Sequence, residues 1–270
     1  MKILVVVQAR TKSSRLPNKV LLPILGKTVL ERQLERILAA SEPFELVVAT
    51  TDDPSDGAIF DACRRLGVEC KTGHPTDLLE RHFRVAEGRG CDAVVKIPSD
   101  CPLIDPHAID RVIGRFRKTA GAYDFVSNLH PATYPDGNDV EVMTFGALET
   151  AYLEATRPLE REHTTPFLWE RPERFRIDNV TWETGLDYSM THRWTLDYAA
   201  DYEFVKAVYE KLWSAWRPVF PIADVLELCE SEPRIAEING HYRGVNWYRH
   251  HLDELVQVSA ANTRSVEEVP

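Results

Sequence analysis

The sequence predicts an open α/β fold, with a mixed, mostly parallel sheet that carries helices on both faces. Short apolar runs rich in β-branched residues recur at 3–7, 46–49 and 93–97. Helix-like periodicity fills the segments 28–40, 55–66 and 76–88. This alternation of strand and helix is typical of parallel strands joined by crossover helices, and it predicts the fold class.

Capping residues indicate where the helices of this half begin. Thr28 precedes the amphipathic stretch "VLERQLERIL", Asp53 precedes a proline and "SDGAIFDACRRL", and Asp105 precedes a proline and "HAIDRVIGRF". Each pairs a side chain able to cap a helix, or a proline suited to a first turn, with apolar periodicity. We therefore expect helices to begin directly after these three residues.

The pattern of apolar and polar residues changes after the third apolar run. Half-buried strands are expected in "YDFVSN", "NDVEVMTF" and "RFRIDNV" between 123 and 180, which predicts an antiparallel or edge portion of the sheet. A helix is expected at about 199–214. We predict an α/β domain over 1–217, a helical C-terminal cap over 218–258 and a flexible tail over 259–270.

Composition excludes several classes of function. The 270 residues include 42 acidic and 32 basic side chains, a net charge of -10 that argues against a nucleic-acid partner. Five scattered cysteines lack the spacing of a disulfide framework or a zinc site. The apolar run at 3–7 is too short for a signal peptide or a membrane span. We expect a soluble, cytoplasmic protein without a membrane partner.

A cationic loop follows the first predicted strand. Within ten residues it carries Arg10, Lys12, Arg15 and Lys19, with Ser13 and Ser14 between them. Ligands of open α/β sheets bind at the carboxyl ends of strands, so this loop is a candidate phosphate site, although it has neither a G-x-G-x-x-G nor a P-loop pattern. A solvated basic loop is the alternative. Pro17, which stiffens the loop, favours the phosphate site.

Two aspartates are candidate ligands for a metal ion that is bound together with a nucleotide. Asp100 ends the buried-looking strand "AVVKIPSD", and Asp197 ends "RWTLD" directly before a helix. Mg²⁺ prefers one or two carboxylates together with phosphate oxygens and water. Either aspartate alone is equally suited to capping a helix or forming a turn.

The loop sequence "QARTKSSRLPNKVL" resembles the signature A-R-x-x-S-x-R-L-P-x-K of the sugar-acid cytidylyltransferases, the CMP-sugar synthetase-like family, and most of all its spore-coat polysaccharide branch. The resemblance extends over about residues 1–250. Further blocks follow in the order typical of the family: "VVVATTDDPSD", "DLLERHFRVAE", "DAVVKIPSDCPLIDP", "YPDGNDVEVMTFGALE", "EREHTTPFLW", "HRWTLDYAADYEFV" and "EINGHYRGVNWY".

This resemblance implies a Rossmann-like nucleotide-diphospho-sugar transferase fold, and a loop that wraps the triphosphate of CTP. It implies Mg²⁺ as cofactor, held by Asp100 and Asp197, and a homodimer in which residues 130–190 contribute to the contact. It makes Arg10, Arg15 and Lys19 the catalytic cations. The implied nucleotide-binding residues are Ala9, Arg10, Ser13, Ser14, Arg15, Lys19, Thr51, Asp77, Arg81, Ser99 and Asp100. Asp77 is equally suited to stabilising its own helix.

Polar residues in two later segments are candidates for binding the acceptor. "TYPDGNDVEVM" and "EREHTTP" are rich in groups that suit a hydroxyl-rich or anionic substrate. The candidates are Tyr134, Asp136, Asn138, Glu141, Arg161, Glu162, His163 and Arg193. We expect Arg161 and Arg193 to clamp a carboxylate or phosphonate. An ordinary histidine on a helix face is the alternative for His163.

The predicted reaction is attack of an acceptor oxygen on the α-phosphorus of CTP, with CMP transferred and pyrophosphate released. Three alternatives stay open: a cytidylyltransferase for a phosphonate or phosphorylated alcohol, a nucleotide-sugar glycosyltransferase, and a non-catalytic nucleotide-binding protein. A glycosyltransferase commonly carries a D-x-D pair after a strand, which is missing here. The six tryptophans are expected to pack in the core or an interface.

Overall fold

The structure is a computed structural model that describes residues 1–265. The strands are β1 (Ile3–Gln8), β2 (Pro23–Ile24), β3 (Lys27–Thr28), β4 (Glu45–Thr51), β5 (Glu69–Gly73), β6 (Ala93–Pro98), β7 (Phe125–Ser127), β8 (Glu141–Thr144) and β9 (Ile177–Asn179). The α-helices are α1 (Val29–Leu38), α2 (Gly57–Leu66), α3 (Leu78–Ala86), α4 (Pro106–Lys118), α5 (Phe145–Glu154), α6 (Pro158–His163), α7 (Pro166–Trp169), α8 (Ala199–Leu212), α9 (Ile222–Ser231) and α10 (Pro233–Ala236).

Seven strands form one mixed sheet in the order β5-β4-β1-β6-β8-β7-β9. The first four are parallel to one another, whereas β8 runs antiparallel to both of its neighbours. The predicted mixed, mostly parallel sheet is thus confirmed, and its antiparallel portion lies within the predicted region 123–180. Because β1 is central among the parallel strands, the loop after it opens at the middle of one sheet edge.

Both faces of the sheet are covered, which explains why β1 is apolar at successive positions. Val5 and Val7 pack in one core with residues of α1, α2 and α4. Leu4 and Val6 pack in a second core with residues of α3 and α5. A parallel strand buried on both sides loses the usual alternation of apolar and polar residues.

The predicted helix starts agree with the structure. Thr28 caps α1 through a capping box, in which its hydroxyl accepts from the Glu31 N–H and the Glu31 carboxylate accepts from the Thr28 N–H. Asp53 caps a short 3-10 turn that leads into α2, and Asp105 caps α4 by accepting from the His107 N–H at 2.7 Å.

The C-terminal part packs on the body through a third core. This core joins α8 and α9 to residues such as Leu103 and Trp194. Residues 259–265, the first part of the predicted flexible tail, make contacts with the body of the protein. There Thr263 is buried, and the Arg264 N–H donates to the Gly244 carbonyl at 2.8 Å, contacts that no local pattern announces. Residues 266–270, the rest of that predicted tail, lie outside the described residues.

Two further predictions concern apolar surface. Within residues 1–265, no helix combines the length and the apolar character needed to cross a bilayer. Trp182 and Trp194 are buried as expected, whereas Trp216 is 98% exposed and does not pack within the protomer.

Candidate active site

A cavity of about 710 Å³ opens at the carboxyl ends of the central parallel strands. Gln8 and Pro98, the last residues of β1 and β6, line it together with Arg10, Arg15 and Asp100. This is the edge at which open α/β sheets bind ligands. The cavity continues along the antiparallel strands toward the C-terminal segment, so it has room for a nucleotide end and an acceptor end.

A buried carboxylate holds the cationic loop after β1 in place through hydrogen bonds. Asp56, which is 1% exposed, accepts hydrogen bonds from the Thr11 N–H at 2.8 Å and from the Thr11 hydroxyl at 2.7 Å. It also accepts from the hydroxyls of Thr50 and Thr51. Burial alone would raise the pKa of Asp56, but these hydrogen bonds outweigh it and lower that pKa. A charged Asp56 therefore fixes the loop.

Lys19 joins the two aspartates predicted to bind metal. Its ammonium lies 3.1 Å from Asp100 Oδ2 and 2.9 Å from Asp197 Oδ1, and it donates to the Leu196 carbonyl at 2.7 Å. Only 12% of the lysine side chain is exposed. The structure thus brings together three residues from distant parts of the chain, as the sequence analysis expects.

Arg15 completes this group, which we call the Lys19 cluster (Arg15, Lys19, Asp100 and Asp197). Arg15 Nη2 lies 2.7 Å from Asp197 Oδ1. Burial would raise the pKa of Asp197, but the charges of Lys19 and Arg15 dominate and hold that pKa below its usual range. Burial would likewise lower the pKa of Lys19, and the two carboxylates raise it instead.

The other polar residues of the loop differ in whether they line the cavity. Arg10 lines the cavity and makes a single hydrogen bond, to the Pro75 carbonyl at 3.0 Å. Lys12 pairs with Asp53, away from the cavity lining. Ser13 accepts from the Leu16 N–H at 3.4 Å within the loop, and Ser14 is exposed.

Contacts from α1 hold the segment that carries Asp100. Gln33 donates from Nε2 to the Pro98 carbonyl at 2.6 Å, at the end of β6. The buried guanidinium of Arg36 donates to the carbonyls of Leu103 and Ile104. Burial lowers the pKa of Arg36 despite nearby Tyr209 and Asp105. On the other side, the Leu196 N–H donates to the Asp100 carbonyl at 2.8 Å, which sets Asp100 beside Asp197.

The Lys19 cluster has the donor chemistry of a magnesium site. Since both carboxylates contact one ammonium, they converge within reach of a single small cation. Among residues 1–265 no set of three or more His, Cys, Asp or Glu side chains is arranged to hold a metal. Two carboxylates that leave the other positions to phosphate oxygens and water fit Mg²⁺ bound together with a nucleotide.

Several residues predicted to bind nucleotide have their polar groups engaged inside the protein. Arg81 donates to the carbonyls of His74 and Pro75, and burial lowers its pKa to about 10. The Thr51 hydroxyl donates to Asp56. Asp77 caps α3 and accepts from the Glu80 N–H at 2.8 Å, so the helix-capping alternative is the one that the structure shows.

Two more predicted nucleotide residues lie at strand ends. The Ala9 N–H donates to the Ala49 carbonyl at 3.0 Å, and Ser99, next to Asp100, is 9% exposed. Neither side chain lines the cavity described above. Their roles in nucleotide binding stay predictions.

The expected arginine clamp for an anionic acceptor is wrong. Arg193 has a fully buried side chain that donates twice to Asp201, at 2.9 Å each, and once to the Val245 carbonyl. Arg161 donates to Asp77 at 2.7 Å and to the Tyr152 carbonyl at 2.7 Å. Both guanidinium groups are used to join elements of the fold, and neither lines the cavity.

Two other acceptor candidates line the cavity but are committed to internal bonds. Asn138 accepts from the Asp105 N–H and donates to the Pro135 carbonyl, both at 2.9 Å. Tyr134 donates to Glu183 at 3.3 Å, and burial raises the pKa of the phenol. Both side chains shape the "YPDGND" loop.

Carboxylates from that loop and from β8 face the cavity. Glu141 pairs with Lys96, its cross-strand neighbour, and accepts from the Thr165 hydroxyl at 2.6 Å. Asp136 lies 3.5 Å from Arg193. Burial, with the charges of Asp100 and Glu141, raises the pKa of Asp139 to about 7. Sequence reasoning did not select Asp139 or Lys96.

Gly137 explains how the loop reaches this position. Its φ of +102° lies in the region that favours glycine, and a Cβ there would lie 2.8 Å from the Thr195 nitrogen. The close approach lets the Trp194 N–H donate to the Asp136 carbonyl at 2.8 Å.

The opposite side of the cavity is an aromatic wall, made of His130, His163, Trp169, Trp247 and Tyr248. The rings of His163 and Trp247 stack with centroids 3.8 Å apart, and those of His130 and Trp169 stack at 4.3 Å. Burial lowers the pKa of His163 to about 3 and that of His130 to about 4, so both rings are neutral near pH 7. Of these five residues, the sequence analysis selected only His163. Trp247 and Tyr248 end the block "EINGHYRGVNWY" of the family resemblance.

The parallel sheet edge, its cationic loop and the carboxylate pair define the chain as a nucleotidyltransferase with a Rossmann-like α/β fold. The family model for cytidylyltransferases matches residues 4–219. The chain belongs to the cytidylyltransferase family.

Individual relatives agree with this assignment. The chain is 26% identical to the spore coat polysaccharide biosynthesis protein SpsF of Bacillus subtilis, over 87% of this chain and 96% of that protein. It is 33% identical to a 3-deoxy-manno-octulosonate cytidylyltransferase of Zea mays, over 50% of this chain and 46% of the maize protein. A cytidylyltransferase structure from Leptospira borgpetersenii serovar Hardjo-bovis superposes with a TM-score of 0.82 at 30% identity, covering 88% of this chain and 97% of that one. The resemblance to sugar-acid cytidylyltransferases is confirmed.

Proposed function

We propose that this cytidylyltransferase uses CTP and Mg²⁺ to transfer CMP to a hydroxyl of a sugar acid or a related acceptor, with release of pyrophosphate. The observation that carries the proposal is the Lys19 cluster, of which Arg15, Asp100 and Asp197 line the cavity. Its two cations and two carboxylates converge, and Arg10 lines the same cavity.

The residues divide the work of a nucleotidyl transfer between them. Arg10, Arg15 and Lys19 are long cations that neutralise the triphosphate and the departing pyrophosphate. Asp100 and Asp197 would hold Mg²⁺, which supplies charge neutralisation and alignment of the phosphates. No side-chain nucleophile is required, because alignment and charge neutralisation account for most catalysis of phosphoryl-type transfer.

A nucleotide screen tests the first half of the proposal. Thermal unfolding is measured with CTP, UTP, ATP and GTP, each with MgCl₂, since a ligand of the folded state raises the midpoint by mass action. The largest shift is expected with CTP. Equal shifts with all four nucleotides, or none, would remove the basis for CTP.

Pyrophosphate release with a panel of sugar acids tests the second half. We expect Asp100→Asn and Asp197→Asn to lose at least about 10²-fold in rate, by analogy with the loss of one transition-state donor. Near-complete activity of both variants would reject their role. A homodimer with a contact through residues 130–190 is also proposed, on the family resemblance alone, and light scattering at several concentrations tests it.

A further inference from the structure

We propose that the acceptor carries a protonated amine, which Asp136 and Asp139 bind against the aromatic wall. The inference rests on the proposed function, because it takes the half of the cavity beyond the Lys19 cluster as the acceptor site. It narrows that function from acceptors in general to ammonium-bearing ones.

The balance of charge in this half of the cavity favours a cation. Next to the Lys19 cluster, the buried and half-buried groups include more carboxylates than cations. The cations are Lys96 and Arg193, and the carboxylates are Asp136, Asp139, Glu141 and Asp201. Lys96 is held by Glu141, and Arg193 by Asp201.

Asp136 and Asp139 are therefore the carboxylates left with least compensation. The nearest cation of Asp136 is Arg193, at 3.5 Å, and that guanidinium already makes its short bonds elsewhere. Among residues 1–265 Asp139 forms no ion pair, and Lys96 acts on it only from a distance. Both carboxylates are half-buried, and a carboxylate partly withdrawn from water without a close partner is costly, so a ligand that brings a positive charge gains free energy here.

The aromatic wall supplies the second requirement for binding an ammonium group. Trp247 and Tyr248 have ring centroids 4.6 Å apart, and Trp169 lies 6.3 Å from Tyr248. Asp136, Asp139 and Glu141 line the same cavity as the half-buried ring of Tyr248, so the wall and the acids face one space. Ring faces attract cations, most strongly when water is excluded.

Among residues 1–265, the one cation that lines this half is Lys96, which pairs with Glu141, so an anionic group finds no matching partner here. Arg161 and Arg193 are committed to Asp77 and Asp201, and the rim adds the exposed acids Glu162 and Asp187. A carboxylate placed among these side chains would be repelled, so any acid group of the acceptor has to lie toward Arg10 and Arg15.

Three sugars that differ only at carbon 6 test the proposal: 6-amino-6-deoxyglucose, glucose and glucuronate. Their binding to the wild-type protein is followed by fluorescence at pH 7, because Trp169 and Trp247 line the cavity. We expect the amino sugar to bind at least about 10-fold more tightly than glucose, and glucuronate to bind most weakly. Equal affinities, or a preference for glucuronate, would overturn the proposal.

Variants locate the site. Asp139→Asn and Asp136→Asn are expected to bring the amino sugar to the affinity of glucose, whereas Glu149→Gln, at an exposed position of α5, keeps the full difference. If an aspartate variant does not fold, the order of the three sugars on the wild-type protein still decides. Saturable MgCl₂ binding that is lost in Asp139→Asn, without amino sugar binding, would assign the acids to a metal and overturn the proposal.

The thermal shift with CTP is measured on the same samples. A protein that binds CTP and prefers glucuronate retains the proposed function and loses only this inference. A protein with no response to CTP loses the proposed function, whatever the order of the sugars.

Discussion

Replacing Lys19 by methionine tests the centre of the site. The substitution keeps most of the side-chain volume and removes the ammonium that lies 3.1 Å from Asp100 and 2.9 Å from Asp197. The two carboxylates then face each other, with Arg15 at 2.7 Å and Arg193 at 3.6 Å left to compensate Asp197. We expect a loss of both stability and activity.

The geometry sets the size of the stability loss. At about 3 Å and an effective dielectric of about 20, each contact of the ammonium is worth roughly 5 kcal/mol before desolvation. The cost of taking the ammonium out of water offsets several kcal/mol of this attraction. Measured on proteins, the removal of one partner from a buried pair costs about 3–5 kcal/mol net. Because Arg15 remains on Asp197, we place Lys19→Met at about 3 kcal/mol, or roughly 5 °C in melting temperature for a chain of this size.

Urea unfolding and pyrophosphate release measure the two effects. The turnover of Lys19→Met with CTP is expected to fall about 10²-fold or more. The control is Lys206→Met on α8, where the lysine is 43% exposed and its partner Glu210 lies 4.0 Å away, so its stability should stay within about 0.5 kcal/mol of wild type. MgCl₂ without nucleotide should stabilise Lys19→Met more than wild type, because Asp100 and Asp197 both lose the Lys19 ammonium. Unfolding midpoints that match wild type, together with an unchanged rate, would refute the reasoning.

The remaining predictions separate function, local structure and pH dependence. Arg10→Ala should cost about 10²-fold in pyrophosphate release and less than about 0.5 kcal/mol in urea unfolding, since Arg10 makes one hydrogen bond; a large stability loss would contradict a purely functional role. Thr28→Ala removes the capping box of α1 and should lower the free energy of unfolding by about 1 kcal/mol. Thr28→Ser keeps the capping hydroxyl and should not lower it. His82 is fully buried, and burial lowers its pKa to about 3, so the unfolded state binds its proton first as pH falls below 6.5. The stability that the neutral His82 contributes is complete above pH 6.5 and is lost as pH falls toward 3, with a loss of about 2 kcal/mol by pH 5. His82→Gln should therefore flatten the pH dependence of the unfolding free energy. An unchanged slope would show that His82 is protonated when folded.

Arg161 and Arg193 show where prediction from the sequence fails. Each lies in a polar segment near the acceptor half, and nothing local distinguishes a guanidinium that binds a ligand from one that joins two elements. Their partners, Asp77 and Asp201, are 84 and 8 residues away in the chain. Which carboxylate an arginine meets is decided only when the helices pack.

The sequence by itself determined the alternation of strands and helices, the caps of α1 and α4, and the loop of Arg10, Arg15 and Lys19 at the end of β1. These follow from periodicity, capping and connection rules that act within a few residues. It also placed Asp100 just after β6, because parallel strands present their carboxyl ends at one edge. Asp197 lies directly before α8 as expected, but its segment is not a strand, and the hydrogen bond from the Leu196 N–H to the Asp100 carbonyl sets it beside Asp100. Only the tertiary structure decided that Asp56 holds the loop in place, and that His130, Trp169 and Tyr248 meet in one wall of a cavity that Asp136 and Asp139 also line. Such contacts join distant segments through packing, and that information is not contained in any local pattern.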